Sequence, residues 1–197
     1  MNGTMKNIAI FASGAGSNAK AIIEYFKGHP TIQVVLVITN NPSAGVIQVA
    51  HQHKIISAIL SKDAMTTEQT VMALMKAQDI HFIALAGYLQ MVPAFLLAKF
   101  PNKIVNIHPA LLPKHGGKGM YGIKVHQAVL AAGDAETGIT IHYVNEHYDE
   151  GKIINQKALA VNPGETAETL ATRVLALEHE WYPKTIETLL EGVGVKG

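Results

Sequence analysis

The segment Asn106-Ile107-His108-Pro109 places an amide and an imidazole two residues apart, at the end of the apolar run 104–107. Residues at i and i+2 of a strand share one side, so Asn106 and His108 face a common pocket. Pro109 ends the strand and leaves His108 at its carboxyl edge. An amide N–H donor beside a titratable ring suits a developing oxyanion and a proton in transit. The same pair can equally form a polar network at a strand end. Further on, Asn145-Glu146-His147-Tyr148-Asp149-Glu150-Gly151 carries three carboxylates in a short stretch. Such a run is also what a solvated turn looks like, and spacing does not tell which carboxylate reaches a pocket.

A second kind of chemistry belongs to Ser13-Gly14-Ala15-Gly16-Ser17-Asn18, between an apolar run and an amphipathic stretch. Glycines let the backbone turn tightly and bring N–H groups to an anion, and a helix N-terminus adds partial positive charge. Ser17 or Asn18 can cap the helix or touch a phosphate. Gly14, Gly16 and Ala19 also fit the degenerate dinucleotide fingerprint. That fingerprint needs an acidic residue after the second strand, where this chain has Thr39-Asn40-Asn41. A P-loop is excluded because no Gly-Lys-Ser/Thr follows. A monophosphate is the expected ligand, and a glycine turn without ligand is the alternative.

The elements that must hold these residues alternate. Apolar runs at 8–12, 34–39, 82–86, 104–107 and 139–144 are separated by amphipathic stretches at 18–27, 46–53, 66–77 and 124–132. Runs that are apolar throughout indicate strands covered on both faces. The β-α-β-α rhythm predicts an α/β fold: a doubly wound, mostly parallel, Rossmann-like sheet. Runs 139–144 and 153–160 are close enough to pair as an antiparallel addition at the C-terminal end. A last helix over 166–190 carries Leu170, Val174, Leu177 and Trp181, with a kink expected at Pro183. With no repeat, low-complexity segment or linker, residues 1–197 read as a single domain. Ligands of such sheets bind beyond the carboxyl ends of the strands, where the motifs above fall.

Composition narrows the function. The 197 residues are 48% hydrophobic and 16% charged, which excludes disorder. Lys+Arg 16 against Asp+Glu 15 gives +1, too little for a field that gathers nucleic acid or an anionic membrane. Zero cysteines exclude disulfides and thiolate metal sites. No metal is expected from His51-x-His53 either, since i and i+2 on a helix do not share a face. Stretch 82–100 has spanning length but is interrupted by Gly87, Gln90, Pro93 and Lys99, and reads as a strand, a turn and a short helix. Run 8–12 is too short for a signal-peptide core. A cytoplasmic protein is expected.

Taken together, the first loop, Asn106-Ile107-His108-Pro109-Ala110-Leu111-Leu112-Pro113, Asp149-Glu150-Gly151 and Leu177-Glu178-His179-Glu180-Trp181-Tyr182-Pro183 resemble the phosphoribosylglycinamide formyltransferases. These are the folate-dependent transferases of de novo purine synthesis, and the resemblance runs from about residue 6 to residue 192. It implies transfer of the formyl group of 10-formyltetrahydrofolate, a co-substrate, to the amine of 5-phosphoribosylglycinamide. Gly16, Ser17 and Asn18 would hold the substrate phosphate, and Glu178 the ribose hydroxyls. Leu89, Gln90, Met91 and Val92 would offer backbone groups to the folate head, with Asn106 touching the formyl oxygen. His108 would be the acid and would stabilise the oxyanion together with Asn106, with Asp149 as its partner, and His142 would be either catalytic support or a satisfied buried residue. A carboxylate within about 4–6 Å favours the imidazolium. The His108 pKa is therefore expected above its ordinary value near 6.5.

The chain also departs from the family pattern. Gln90 stands where a basic residue is common, so a charge contact to folate would be lost while backbone contacts survive. Lys62 stands in another region where the family is often basic. The loop 115–122 is longer and richer in glycine than the common form, and no role is carried over to it. The alternative is a related formyl-group enzyme: a basic RNA domain is not expected in 197 residues at +1, and an N-terminal regulatory domain is not expected because the first strand begins near residue 6. A nucleotide-binding module without catalysis would explain the first loop but not Asn106, His108 and Asp149 together. The expected partners are the two small molecules, with the protein as a monomer or homodimer.

Overall fold

Strands that are apolar on both faces need cover on both faces, and the wholly buried Ile8, Ala9, Ile10 and Phe11 of β1 (Lys6–Phe11) mark the centre of such a sheet. The computed structural model describes residues 4–192. Seven strands run in the order β3-β2-β1-β4-β5-β6-β7. These are β1, β2 (Ile32–Thr39), β3 (Ile56–Ile59), β4 (Ile80–Leu85), β5 (Ile104–His108), β6 (Glu136–Tyr143) and β7 (Ile153–Ala160). The mostly parallel α/β sheet with one antiparallel end matches the sequence expectation. The chain divides inside β5 into two compact units, one ending at Val105 and one starting at Asn106.

In the first unit β1 pairs in parallel with β2 and β4, and β2 with β3. Their carboxyl ends therefore share one edge. Helix α1 (Ser17–Tyr25) buries Ala19, Ile22 and Ile23, and α2 (Val46–Gln52) buries Val46 and Ala50, each at helical spacing. The helix expected over 66–77 is present from residue 68 on, and an unexpected short helix precedes it. The short α3 (Lys62–Thr66) is capped by Ser61, whose Oγ accepts from the Ala64 N–H (3.2 Å). Thr67 is extended, and α4 (Glu68–Ala77) starts after it. The runs read as strands also do not include β3, an edge strand whose Ile56 and Ile59 are half exposed. Residues 82–100 are a strand, a turn and the short helix α5 (Ala94–Lys99). Among the described residues no helix is long and apolar enough to cross a membrane.

In the second unit β6 and β7 pair antiparallel, Ile139 opposite Lys157, with an irregularity between Ile141 and His142. Gly138 lies so close to the Lys157 backbone that a Cβ has no room. Helix α6 (Ile123–Ala132) ends on Gly133 in the left-handed conformation. Helix α7 (Ala167–Glu191) begins in a Thr166–Thr169 capping box and continues through Pro183. Its buried stripe is Leu170, Val174, Glu178, Tyr182 and Ile186, whereas Leu177 and Trp181 are only half buried. Leu170 and Val174 are buried as expected, and beyond them the stripe lies one residue on from the expected one and includes a carboxylate.

Candidate active site

Strand β5 carries Asn106 and His108 at alternate positions, and loop and strand residues close around them. Of the three clustered carboxylates, Glu146 and Glu150 are exposed and Asp149 is half buried. Asp149 sits at φ 58°, a left-handed conformation that aspartate tolerates better than most residues. Its Oδ2 accepts from the Gly117 N–H (2.9 Å) and lies 3.5 Å from His108 Nδ1. Its Oδ1 lies 3.6 Å from His142 Nε2 and accepts a long contact (3.5 Å) from Asn106 Nδ2. One carboxylate thus reaches both β5 side chains and His142.

His142, 2% exposed on β6, has Nδ1 2.8 Å from the Tyr143 carbonyl and Nε2 3.1 Å from Asn106 Nδ2. A carbonyl accepts and an amide nitrogen donates, so the partners assign the neutral tautomer with the proton on Nδ1. His142 is therefore both satisfied and a support for the Asn106 amide. Gly151 lies so close to the His142–Tyr143 backbone that no Cβ fits there.

His108 is 3% exposed, and its Nε2–H donates to the His115 carbonyl (2.8 Å). Both ring nitrogens thus face acceptors, one tightly and one loosely. The expectation of a raised His108 pKa is overturned. Burial outweighs the pull of Asp149 and the His115 carbonyl, and His142 and His115 oppose it further, so the pKa lies below the ordinary histidine value. The cost of desolvating an imidazolium wins over one carboxylate at 3.5 Å. Asp149 lies below the usual carboxylate range. Its burial works in the opposite direction, but the His142 ring at 3.6 Å, the charge of His108 and the Gly117 N–H outweigh it.

The glycine loop is arranged differently. Gly16 has φ 84° and caps α1, and a Cβ there would lie 2.8 Å from Val46 Cα. Its glycine is therefore required by the backbone itself. No acidic residue occupies the first turn of α1, its N-cap Gly16 offers no side chain, and Ser17 at its start is exposed. Ser13, for which the motif alone suggests no role, ties this edge together. Its hydroxyl donates to Asn40 Oδ1 (2.6 Å) and accepts from the Leu89 N–H (3.0 Å). Asn40, where a dinucleotide binder would be acidic, is thus engaged with the loop. Leu89 and Met91 are exposed, Gln90 is intermediate and Val92 is buried. Glu178, in the second unit, is 7% exposed on α7.

Gly117, His115 and Asp134 join the site without any sequence signal. No motif marks them, because their roles arise from backbone groups and from a partner 19 residues away.

A family model described as formyl transferase matches residues 6–186. The chain is 42% identical over 193 residues to the chloroplastic phosphoribosylglycinamide formyltransferase of Arabidopsis thaliana, covering 94% of this chain and 66% of that protein. It is 37% identical over 191 residues to the phosphoribosylglycinamide formyltransferase of Bacillus subtilis, covering 94% and 95%. The solved phosphoribosylglycinamide formyltransferase of Bacillus halodurans matches with a TM-score of 0.84 and 38% identity, over 97% of this chain and 100% of that one. The chain therefore spans just under two thirds of the plant relative and nearly all of the bacterial ones.

Proposed function

The chain belongs to the formyl transferase family, and from that premise we propose that it transfers the formyl group of 10-formyltetrahydrofolate to the amine of 5-phosphoribosylglycinamide, a step of purine (IMP) synthesis. The observation that carries this reading is the cluster in which Asp149 reaches His108, His142 and Asn106. The family match spans both compact units, which supports their working as one formyltransferase domain over 1–197.

The donor set suits the folate co-substrate. Leu89 and Met91 present apolar side chains to solvent beside the polar Gln90, as a flat heteroaromatic head requires. The Leu89 N–H is committed to Ser13, so Leu89 offers its carbonyl to the folate head, and Gln90, Met91 and Val92 their backbone groups. When bound, 10-formyltetrahydrofolate supplies the formyl carbon and N10 as the leaving nitrogen. In the other substrate, the phosphate goes to Gly16, Ser17 and Asn18, and the ribose hydroxyls to Glu178.

Of the two Asn106 N–H groups, one is held by His142; the other makes only the long contact to Asp149 and turns to the developing oxyanion. His108 begins neutral at pH 7 because burial holds its pKa down. Its Nδ1 edge, loosely opposed by Asp149, takes the proton that the attacking amine loses and returns it to the leaving nitrogen. One proton moves, and no further reactant is needed. The ionised Asp149 stabilises the imidazolium while it exists.

The partners are the two small molecules, with no nucleic acid or membrane, a reading that the net charge of +1 supports. The place of action is the cytoplasm, and the protein works as a monomer or homodimer. The test mixes protein, glycinamide ribonucleotide and 10-formyltetrahydrofolate and follows tetrahydrofolate release. Binding of both compounds without release would leave a binding module and end the catalytic reading.

A further inference from the structure

The His115 carbonyl that accepts from His108 Nε2 belongs to a residue in an unusual conformation, φ 53°. A non-glycine residue stays there only when its surroundings over-determine it. The group that holds it is a side chain from the far end of α6. The His115 ring nitrogen Nε2 lies 2.7 Å from Asp134 Oδ2, and the neighbouring Lys114 Nζ donates to Asp134 Oδ1 (3.0 Å). Asp134 is itself fixed by the helix end. The Gly133 N–H donates to the Leu130 carbonyl (3.1 Å) and the Asp134 N–H to that of Val129 (3.3 Å), as in a left-handed helix cap.

We propose that Asp134 is a positioning residue for His108: it clamps the His115 ring, so that the His115 carbonyl anchors His108 Nε2 and keeps Nδ1 as the working edge. This rests on the reading of His108 as the proton carrier. The anchor contact (2.8 Å) is much shorter than the Asp149 contact (3.5 Å), so the carbonyl sets the ring plane and tautomer while Nδ1 stays exchangeable. Without the clamp, the strained residue relaxes and the Nε2 acceptor is lost. The Asp134 carboxyl, held below the usual range by His115 and Lys114, remains ionised throughout the working pH range.

The test compares Asp134→Ala, Asp134→Asn and Lys114→Met with the unaltered chain. Each is followed by kcat and KM against pH, by 15N NMR of the His108 tautomer, and by thermal melting. The charged and titratable groups around His108 are Asp149, His142, His115 and His126, and those on Asp134 are Lys114 and His115. Asp134→Ala should lower kcat about 10- to 10²-fold with KM nearly unchanged, the usual cost of a misplaced reacting group. It should also shift neutral His108 away from the Nε2–H tautomer. Asp134→Asn keeps an acceptor for His115 and should retain most activity and the tautomer. Lys114→Met removes a largely exposed cation and should change kcat no more than about twofold.

An unchanged His108 tautomer in folded Asp134→Ala overturns the proposal, as does Asp134→Asn failing as completely as Asp134→Ala. A purely structural role would lower the melting temperature and leave the tautomer in place. If the unaltered chain releases no tetrahydrofolate, the formyl-transfer reading fails, and the NMR comparison still decides whether Asp134 positions His108.

Discussion

Residues 13–18 follow the carboxyl end of β1 and the cluster around Asp149 gathers at the carboxyl ends of β5 and β6, yet the two obtain their chemistry from different parts of the chain. The first is built from backbone: a glycine at φ 84°, a helix start without a side-chain cap, and N–H groups that exist whatever the side chains are. The second is built from side chains, with Asn106, His108, His142 and Asp149 brought from three separate segments and held by hydrogen bonds. A backbone site should survive side-chain trimming and fail when its path is blocked. A side-chain site should fail when any one member is removed.

The sharpest way to break this contrast is Asn106→Ala. Loss of one oxyanion donor should lower kcat about 10²–10³-fold, with the KM for the ribonucleotide little changed. If the loss appears only in folate affinity, Asn106 is a binding group and the contrast between the two regions narrows.

Asp149→Asn should come next in size. Asp149 pulls the His108 pKa upward against burial, so removing its charge lowers that pKa further. The acid limb of kcat/KM should move to lower pH, and the rate at pH 7.5 should fall because the imidazolium formed during transfer loses its partner. Identical NMR titrations of His108 in the two proteins would disprove the coupling.

In the glycine loop the order of damage should reverse. Gly16→Ala forces a Cβ against Val46 in a strained conformation that costs roughly 1–3 kcal/mol. It should lower the melting temperature and raise the ribonucleotide KM together, while folate binding stays unchanged. Ser17→Ala, which removes one hydroxyl and no N–H, should raise that KM only about two- to tenfold, one hydrogen bond's worth. A kcat collapse in Ser17→Ala would show side-chain chemistry in the loop.

The smallest effect concerns stability. Burial holds His108, His126 and His179 below the ordinary histidine value. Between that value and the lower folded one, the unfolded chain binds more protons, so stability rises with pH and is lost as pH falls through about 6.5. The depressed Asp149 adds a loss at more acidic pH, as the folded carboxylate takes up its proton. Melting temperature should therefore be lower at pH 5.5 than at 7.5, and His126→Gln should flatten the slope. A flat profile in the unaltered chain would contradict the direction of these shifts.

Much of the architecture was legible because buried strands announce themselves by uninterrupted apolar runs. The edge strand β3 was passed over although 55–60 is apolar except for Ser57, and only the fold shows it as an edge with Ile56 and Ile59 half exposed. The α7 stripe was displaced by one residue because Glu178 is buried, and hydrophobic patterning skips a buried carboxylate. At the site, Asn106 and His108 were readable as neighbours because two residues along a strand share a side. Gly117 and His115 were not, because a backbone N–H or carbonyl has no signature of residue type, and Asp134 was not, because the residue it holds lies 19 positions away.

By itself the sequence determined the features that local geometry controls: the strand–helix alternation, the glycine turn before α1, and an amide and imidazole on one strand face. Spacing left open which of three carboxylates meets His108, and the family resemblance pointed to Asp149, which does lie beside it. Two things were decided only by the tertiary structure: that His108 lies below rather than above its ordinary pKa, and that Asp134 reaches back to His115. Local conformation depends on neighbours along the chain, whereas desolvation and pairing depend on neighbours through space. Proximity in sequence says nothing of how much water a folded site retains.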